Sequence, residues 1–145
     1  MDFDETISMA KRIASQEERD VEAMRTLFYL IPNIMYLKAY EEEFTAGRYV
    51  MVSREWERAY SIRRDSVIGK TDYDFLPRAE SDRQRLDEQH TLEFQKTTTV
   101  VNAVGTRYSG WNPVRMQLIP IAVNGDRFNY IAGVTLSTHT VSLDA

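Results

Sequence analysis

The sequence contains no cysteine, few prolines and glycines, and no apolar run long enough to cross a bilayer. The absence of cysteine excludes disulfides, thiolate metal sites and cysteine nucleophiles. The 18 basic and 22 acidic side chains give a net charge of -4 without a basic block, so we expect no nucleic-acid partner. Residues 1–6 are acidic where a secretory signal is basic, and we expect a cytoplasmic protein with no membrane partner.

The start of the chain predicts a long amphipathic helix. Apolar residues recur there in alternating steps of four and three, which is the a/d pattern of a coiled coil, and Glu17 interrupts it. Asp2 and Glu5 fit a capping box, and Pro32 disfavours a helical conformation for the residue before it, so we expect a helix over Phe3–Leu30. The narrow stripe fits packing against a second copy of the helix or against the body of its own chain, and both alternatives stay open.

After Pro32 the apolar period shortens toward two, which is typical of strands. Aromatic and β-branched residues predict strands at 34–40 and 48–52, joined by a loop at 41–47. Helical signals then fill residues 53–96. The first two strands are therefore expected to form an antiparallel pair before the helices begin.

The last third of the chain returns to strands. They are predicted at residues 97–104, 111–123 and 127–138. Asn124-Gly125 is a typical hairpin turn between the last two. This order predicts an α+β fold, in which an N-terminal helix over residues 1–30 precedes a body over residues 31–145. The body is expected to hold a five-stranded antiparallel sheet with helices on one face, and a small-ligand pocket between the two layers.

Four short motifs follow one another along the body. They are RYVMVSREWERAYS at residues 48–61, DSVIGKTDYDFLP at residues 65–77, Pro120-Ile121 and Gly133-Val134. In this order and spacing they resemble the PAS family of sensory domains, and the resemblance covers residues 30–137. It implies a PAS-like fold for the body, and a signal-sensing or regulatory module rather than an enzyme.

Two positions depart from the family pattern. Ser53 stands where the family usually has Asn, and Leu136-Ser137-Thr138 replaces the Asp-Ile-Thr sequence of many members. Because the second departure affects the usual coupling to a C-terminal output helix, we expect signals to pass through a dimeric N-terminal helix. The resemblance implies a homodimer of a two-component or related signalling system. Its effector, a histidine kinase, a diguanylate cyclase or a transcription factor, is expected outside this chain.

The expected pocket supplies the candidate ligand-binding residues. By alternation, Val114, Met116 and Leu118 share the strand face that meets the helices. Flavin-binding PAS domains of the light-oxygen-voltage type line their cavity with residues at these positions and at alternate positions of the last strand. The full candidate set is His90, Phe94, Asn102, Val114, Met116, Leu118, Ile131, Gly133 and Thr135.

Three of these candidates have specific expected roles. Thr135 is the polar group of the pocket, and Gly133 allows a ligand or a helix to approach the backbone closely. Asn102 is a contact for a carboxylate or an amide. The alternative that the whole set forms an ordinary core, with no ligand, stays open.

The cofactor is unknown from the sequence. The helix predicted over 78–96 places His90 with Leu86 and Phe94 on one face, and haem-binding PAS domains take a histidine ligand from this helix. His90 lies about two residues from that position, a rotation of about 200°, so we expect a buried histidine and no haem. A covalent flavin adduct is excluded because it requires a cysteine. Non-covalent flavin is allowed but not expected.

Two other functions stay open. One is a ligand-free PAS dimerisation or interaction domain, whose interior is filled by side chains such as Met116 and Phe94. The other is a small enzyme of the ketosteroid-isomerase type, although in that fold nearly all helices precede the sheet, whereas two strands come first here. The sequence contains no Ser-His-Asp set, metal cluster or phosphate-binding glycine loop, so we expect no catalytic activity.

Overall fold

The computed structural model of the chain describes residues 2–41, 46–123, 125 and 129–136. Its main elements are α1 (Phe3–Leu30), β1 (Met35–Tyr40), β2 (Arg48–Val52), α2 (Arg54–Tyr60), α3 (Arg78–Phe94), β3 (Thr98–Thr106), β4 (Gly110–Ala122) and β5 (Asn129–Thr135). Two single-turn 3-10 helices, Arg64–Ser66 and Asp72–Asp74, lie between α2 and α3. Among the described residues, no helix is both long and apolar enough to span a membrane.

Helix α1 begins and ends where the sequence predicts. The Asp2 carboxylate accepts the Glu5 N–H at 2.8 Å, and Ile31 leaves the helical conformation at a ψ of 128°. None of its 28 residues is buried. Near its C-terminal end, the Tyr29 hydroxyl donates to the Glu57 carboxylate at 2.5 Å. Apart from this last turn, the apolar stripe of α1 is exposed with respect to the described residues of the body.

The five strands form one antiparallel sheet in the order β2-β1-β5-β4-β3. Helices α2 and α3 pack on one face of it, between β2 and β3 in the chain. The expected α+β fold is therefore confirmed: a five-stranded antiparallel sheet with helices on one face follows a long N-terminal helix. The inner face of the sheet and the two helices enclose the interior in which ligand-binding residues were predicted.

The predicted element bounds lie close to the observed ones. Helix α3 ends at Phe94 rather than at residue 96, because Gln95 adopts a left-handed conformation with a φ of 51°. Gly125 of the predicted hairpin turn has a φ of 80°, which glycine adopts without strain. Several predicted features lie outside the described residues: residues 42–45 of the first loop, Asn124, strand residues 127 and 128, and residues 137–145 with Ser137 and Thr138.

Aromatic and aliphatic side chains from the sheet and the helices form one core. Trp56 and Tyr60 of α2 stack on each other with ring centroids 4.6 Å apart, and Phe75 contacts both rings. The buried apolar cluster is Tyr36, Tyr40, Tyr49, Val52, Trp56, Tyr60, Val67, Leu76, Val104, Val114, Met116, Leu118 and Ile131. This core holds α2 and the following turns against the sheet, and so fixes the geometry of the interior.

Candidate functional site

Helix α3 presents a polar face to the sheet, which corrects its predicted orientation. Its buried residues are Ser81, Gln84, Glu88 and Thr91. Leu86, His90 and Phe94 lie on the opposite side, where Leu86 is 53% and Phe94 65% exposed. His90 is also exposed, and its ring lies edge-on to that of Phe94. The prediction that His90 and Phe94 line the interior is therefore wrong, because polar side chains with partners inside take the buried face.

The other candidates do come together on the inner face of the sheet. Val114, Met116 and Leu118 are buried on β4, as their alternation predicts. Buried beside them on β3 and β5 are Asn102, Ile131, Gly133 and Thr135. Contact of these residues with a ligand stays a prediction.

Gly133 and Asn102 contact other side chains of the chain. A Cβ at Gly133 would lie 2.3 Å from Cζ of Tyr36, so the close approach expected for a ligand or a helix is made by the Tyr36 ring. The Asn102 amide nitrogen lies 3.2 Å from the Met116 sulfur, and its oxygen lies 3.5 Å from Nη2 of Arg83. Both expected contact points are therefore occupied from within the protein.

Thr135 joins the last strand to the segment that follows α1. Its hydroxyl accepts the Ile34 N–H at 3.2 Å, and its own N–H donates to the Ile34 carbonyl at 3.0 Å. Asn33 donates its side-chain amide to the Thr135 carbonyl at 2.9 Å. The hydrogen bonds of Thr135 therefore tie the exit of α1 to β5.

At the centre of the interior lies a group of buried charges that the sequence reasoning missed. Lys38 is 0% exposed, and its ammonium lies 2.7 Å from Oδ2 of Asp72 and 2.8 Å from Oε2 of Glu88. Lys38 comes from β1, Asp72 from the turn before α3, and Glu88 from α3. We call these three residues, together with Tyr36, Tyr40 and Tyr49, the Lys38 cluster.

The three tyrosines complete the coordination of the carboxylates. Tyr36 and Tyr40 donate their hydroxyls to the two oxygens of Glu88, at 2.8 and 2.6 Å. Tyr49 donates to Oδ1 of Asp72 at 2.5 Å. The Lys38 nitrogen also lies 4.7 Å from the ring centre of Tyr36 and 4.9 Å from that of Tyr49, within the range of cation–π attraction.

Burial and pairing shift the pKa values of this cluster. Burial raises the pKa of the Glu88 carboxyl, and the Lys38 ammonium opposes that shift. Burial lowers the pKa of Lys38, but the charges of Asp72 and Glu88 outweigh it, so the pKa of Lys38 is raised overall. Burial and the same carboxylates raise the pKa of the Tyr36 hydroxyl. The ammonium is therefore a stable part of the interior, and the tyrosine hydroxyls stay protonated as donors.

The side chains of the cluster fill the space in which the ligand pocket was expected. Tyr36, Lys38, Glu88 and Met116 are each at most 2% exposed, so they are packed against other side chains of the described part of the chain. A concavity of about 640 Å³ lies elsewhere, between the Asp72–Asp74 turn and the β3–β4 hairpin. It is lined by other residues than the nine candidates. In the described part of the chain, no group of three or more acidic or histidine side chains is placed to hold a metal ion.

The alternation of residues along the first strand indicates the Lys38 cluster in the sequence itself. Tyr36, Lys38 and Tyr40 occupy every second position of the first predicted strand, so they share one face. A lysine between two tyrosines on a buried face requires an acidic partner. Asp72 begins the 3-10 turn, and its carboxylate points to Lys38.

Solved structures similar to this chain are PAS and LOV domains. The PAS domain of an HTR-like protein from Haloarcula marismortui matches with a TM-score of 0.60 and 12% identity, over 86% of this chain and 97% of that one. A LOV protein from Rhodobacter sphaeroides matches with a TM-score of 0.62 and 15% identity, over 81% and 67%. The PAS domain of Bordetella pertussis BvgS matches with a TM-score of 0.56 and 17% identity, over 86% and 88%. No protein-family model matches the chain, and no curated protein does.

Proposed function

We propose that this chain, which has the PAS fold, is a regulatory module of a signal-transduction protein that forms a homodimer through α1 and works without a ligand between its helices and its sheet. The observation that carries the proposal is the occupation of the interior by the Lys38 cluster. Sensor domains that bind a small molecule in this place need a cavity of roughly 300 to 1,000 Å³. Side chains of the chain itself occupy that place here.

The surface of α1 supports a protein partner. The helix has 28 residues, which is a length of about 42 Å at 1.5 Å per residue. Large apolar side chains remain exposed along it, namely Phe3, Ile7, Met9, Ile13, Val21, Met24, Leu27 and Leu30. Exposed apolar side chains in this number are typical of a protein interface. A second copy of the same helix is the simplest partner, because the stripe has the spacing of a coiled coil.

The exit of α1 is tied to the sheet by hydrogen bonds that suit signal transmission. The Ser53 hydroxyl donates to the Asn33 carbonyl at 2.7 Å and accepts the Met35 N–H at 3.0 Å. The same oxygen accepts the Trp56 N–H at the start of α2. Asn33 in turn contacts the last strand through Thr135. A shift of α1 would therefore move β1, β5 and α2 together. We expect this movement to change the activity of an effector such as a histidine kinase, a diguanylate cyclase or a transcription factor.

The test compares two variants of α1 that each add one carboxylate. Met24 is 63% exposed and lies in the apolar stripe, whereas Ser15 lies about 180° around the helix at 100° per residue. In a symmetric dimer, Met24→Glu places a charge in the interface twice. We expect the dissociation constant to rise by at least about 100-fold for Met24→Glu, and to stay at the wild-type value for Ser15→Glu. Light scattering during size-exclusion chromatography, over a dilution series, measures both.

A wild-type chain that stays monomeric at all concentrations would overturn the proposed dimer. So would a Met24→Glu variant that dimerises as tightly as Ser15→Glu, because the interface would then lie elsewhere. Circular dichroism of both variants checks that the helix and the sheet are intact. The Ser15→Glu variant controls for the added charge.

A further inference from the structure

The Lys38 ammonium is buried, and the groups around it are of the kind that bind free cations. Its nitrogen is 2.7 Å from an Asp72 oxygen, and 3.2 and 2.8 Å from the two oxygens of Glu88. The rings of Tyr36 and Tyr49 lie against it at 4.7 and 4.9 Å. Carboxylates combined with aromatic faces are the usual receptor for an ammonium group.

The groups around the ammonium are held in place by contacts that do not involve Lys38. Tyr49 donates to Asp72, and Tyr36 and Tyr40 donate to the two oxygens of Glu88. Tyr36 is fixed in addition by Gly133, over which its ring lies. The carboxylates belong to the Asp72–Asp74 turn and to α3, which are separate from the strand that carries the lysine. The hydrogen bonds of the three tyrosines to the two carboxylates would therefore remain available after removal of the Lys38 side chain.

We propose that the interior of this domain is a preorganised site for a primary alkylammonium group, and that the chain occupies the site permanently with Lys38. The ligand class follows from the shape of the space: an unbranched stem that leads to one ammonium between two carboxylates. A neutral group of the same size would leave the carboxylates without a counter-charge, which is strongly unfavourable in a buried place. This inference goes beyond the signalling proposal and does not depend on dimerisation.

The test replaces the lysine side chain by a free amine. Lys38→Ala keeps Cβ, and n-propylammonium reproduces the three carbons and the nitrogen that the substitution removes. Thermal unfolding of Lys38→Ala is followed in n-propylammonium chloride, in 1-propanol, and in sodium chloride of the same ionic strength. We expect n-propylammonium alone to stabilise the variant, by about 3 to 6 °C for each tenfold increase above its dissociation constant.

Three control proteins show whether the response to the amine is specific to the site that Lys38 occupies. Wild type has the site filled, and Lys96→Ala removes an exposed lysine, so we expect neither to respond to the amine. Lys38→Met refills the space with a neutral stem, and we expect no response there either. Should Lys38→Ala not fold alone, Lys38→Ala/Asp72→Asn removes one of the two uncompensated charges and keeps Glu88 and both ring faces for the same titration.

A direct measurement locates the amine. We expect nuclear Overhauser effects between the propyl protons and the ring protons of Tyr36 and Tyr49 in the variant. Equal stabilisation by 1-propanol and n-propylammonium, an equal response of Lys96→Ala, or no effect of the amine on either Lys38→Ala protein would overturn the proposal. Because the readouts are unfolding and local contacts, the outcome is distinguishable from failure of the α1 dimer, which is measured by mass.

Discussion

Replacing Lys38 should destabilise the domain more than replacing Glu88, although the two side chains are paired. In the native cluster, two carboxylates face one ammonium. Lys38→Met keeps an unbranched stem but leaves Asp72 and Glu88 buried without a counter-charge. Removing one partner of a buried ion pair costs about 3 to 5 kcal/mol, which is about 6 to 20 °C in the unfolding temperature of a domain of this size.

Glu88→Gln has the opposite effect on the charge balance. It keeps the shape of the side chain and leaves one ammonium facing one carboxylate, that of Asp72. The amide retains one acceptor oxygen, so one of the buried tyrosine hydroxyls, that of Tyr36 or Tyr40, is left without an acceptor at a cost of about 1 to 3 kcal/mol. Relief of the buried negative charge offsets part of this loss. We therefore expect Glu88→Gln to destabilise the domain less than Lys38→Met.

Urea unfolding measures the difference. Circular dichroism reports the helices and the sheet, and the fluorescence of Trp56 and Trp111 reports the packing of the body. Lys96→Met is the matched control, because the same change at an exposed lysine should alter the free energy of unfolding by about 0.5 kcal/mol or less. If Glu88→Gln proved as destabilising as Lys38→Met, with unchanged m-values, the charge count of the cluster would be wrong.

Three further predictions concern the same interior. The pKa of Glu88 is raised, so the folded state binds the proton of this carboxyl more tightly than the unfolded state does. Wild type should therefore gain stability relative to Glu88→Gln as pH falls from the folded-state pKa toward 4.5. Urea midpoints of the two proteins that change in parallel with pH would contradict this. Gly133→Ala should cost about 1 to 3 kcal/mol by displacing the Tyr36 ring, and a double-mutant cycle with Tyr36→Ala should remove most of that cost. Met116→Trp should destabilise by about 1 to 3 kcal/mol or more in thermal unfolding, since the core is full, and a neutral effect would indicate a cavity.

Stability at high pH follows from Lys38. Its pKa is raised above the ordinary value of 10.5, so the ammonium contributes stability that is fully present below that pH. This contribution is lost as pH rises through the folded pKa. The alkaline loss measured for wild type should be weaker in Lys38→Met, and an identical alkaline profile would contradict the assignment.

Much of the fold could be predicted because its signals are local. The capping box of Asp2 and Glu5 and the proline at position 32 mark the ends of α1 within a few residues of sequence. The alternation of Val114, Met116 and Leu118 identifies the buried face of β4 in the same way. Such patterns depend on neighbours three to five residues away, which one sequence displays directly.

The face of α3 and the Lys38 cluster were missed because their cause is not local. An apolar periodicity assigns polar side chains to the exposed face of a helix and apolar side chains to the buried face. It therefore predicts that Glu88 is exposed and that Phe94 is buried. Glu88 is buried because Lys38 supplies its counter-charge from 50 positions away, together with the hydroxyls of Tyr36 and Tyr40. A buried ion pair of this kind depends on both partners at once, and a single sequence shows neither the distance nor the pairing.

Native mass spectrometry beside denaturing mass spectrometry of the purified chain examines the filled interior and the α1 dimer in one experiment, because it reports bound mass and oligomeric state together. We expect a native ion at twice the 16.9 kDa chain mass, with no mass beyond that of the two chains seen on denaturation. A discrete additional mass that is present in the native ion and lost on denaturation would contradict the filled interior. A native monomer at micromolar concentration would contradict the dimer through α1.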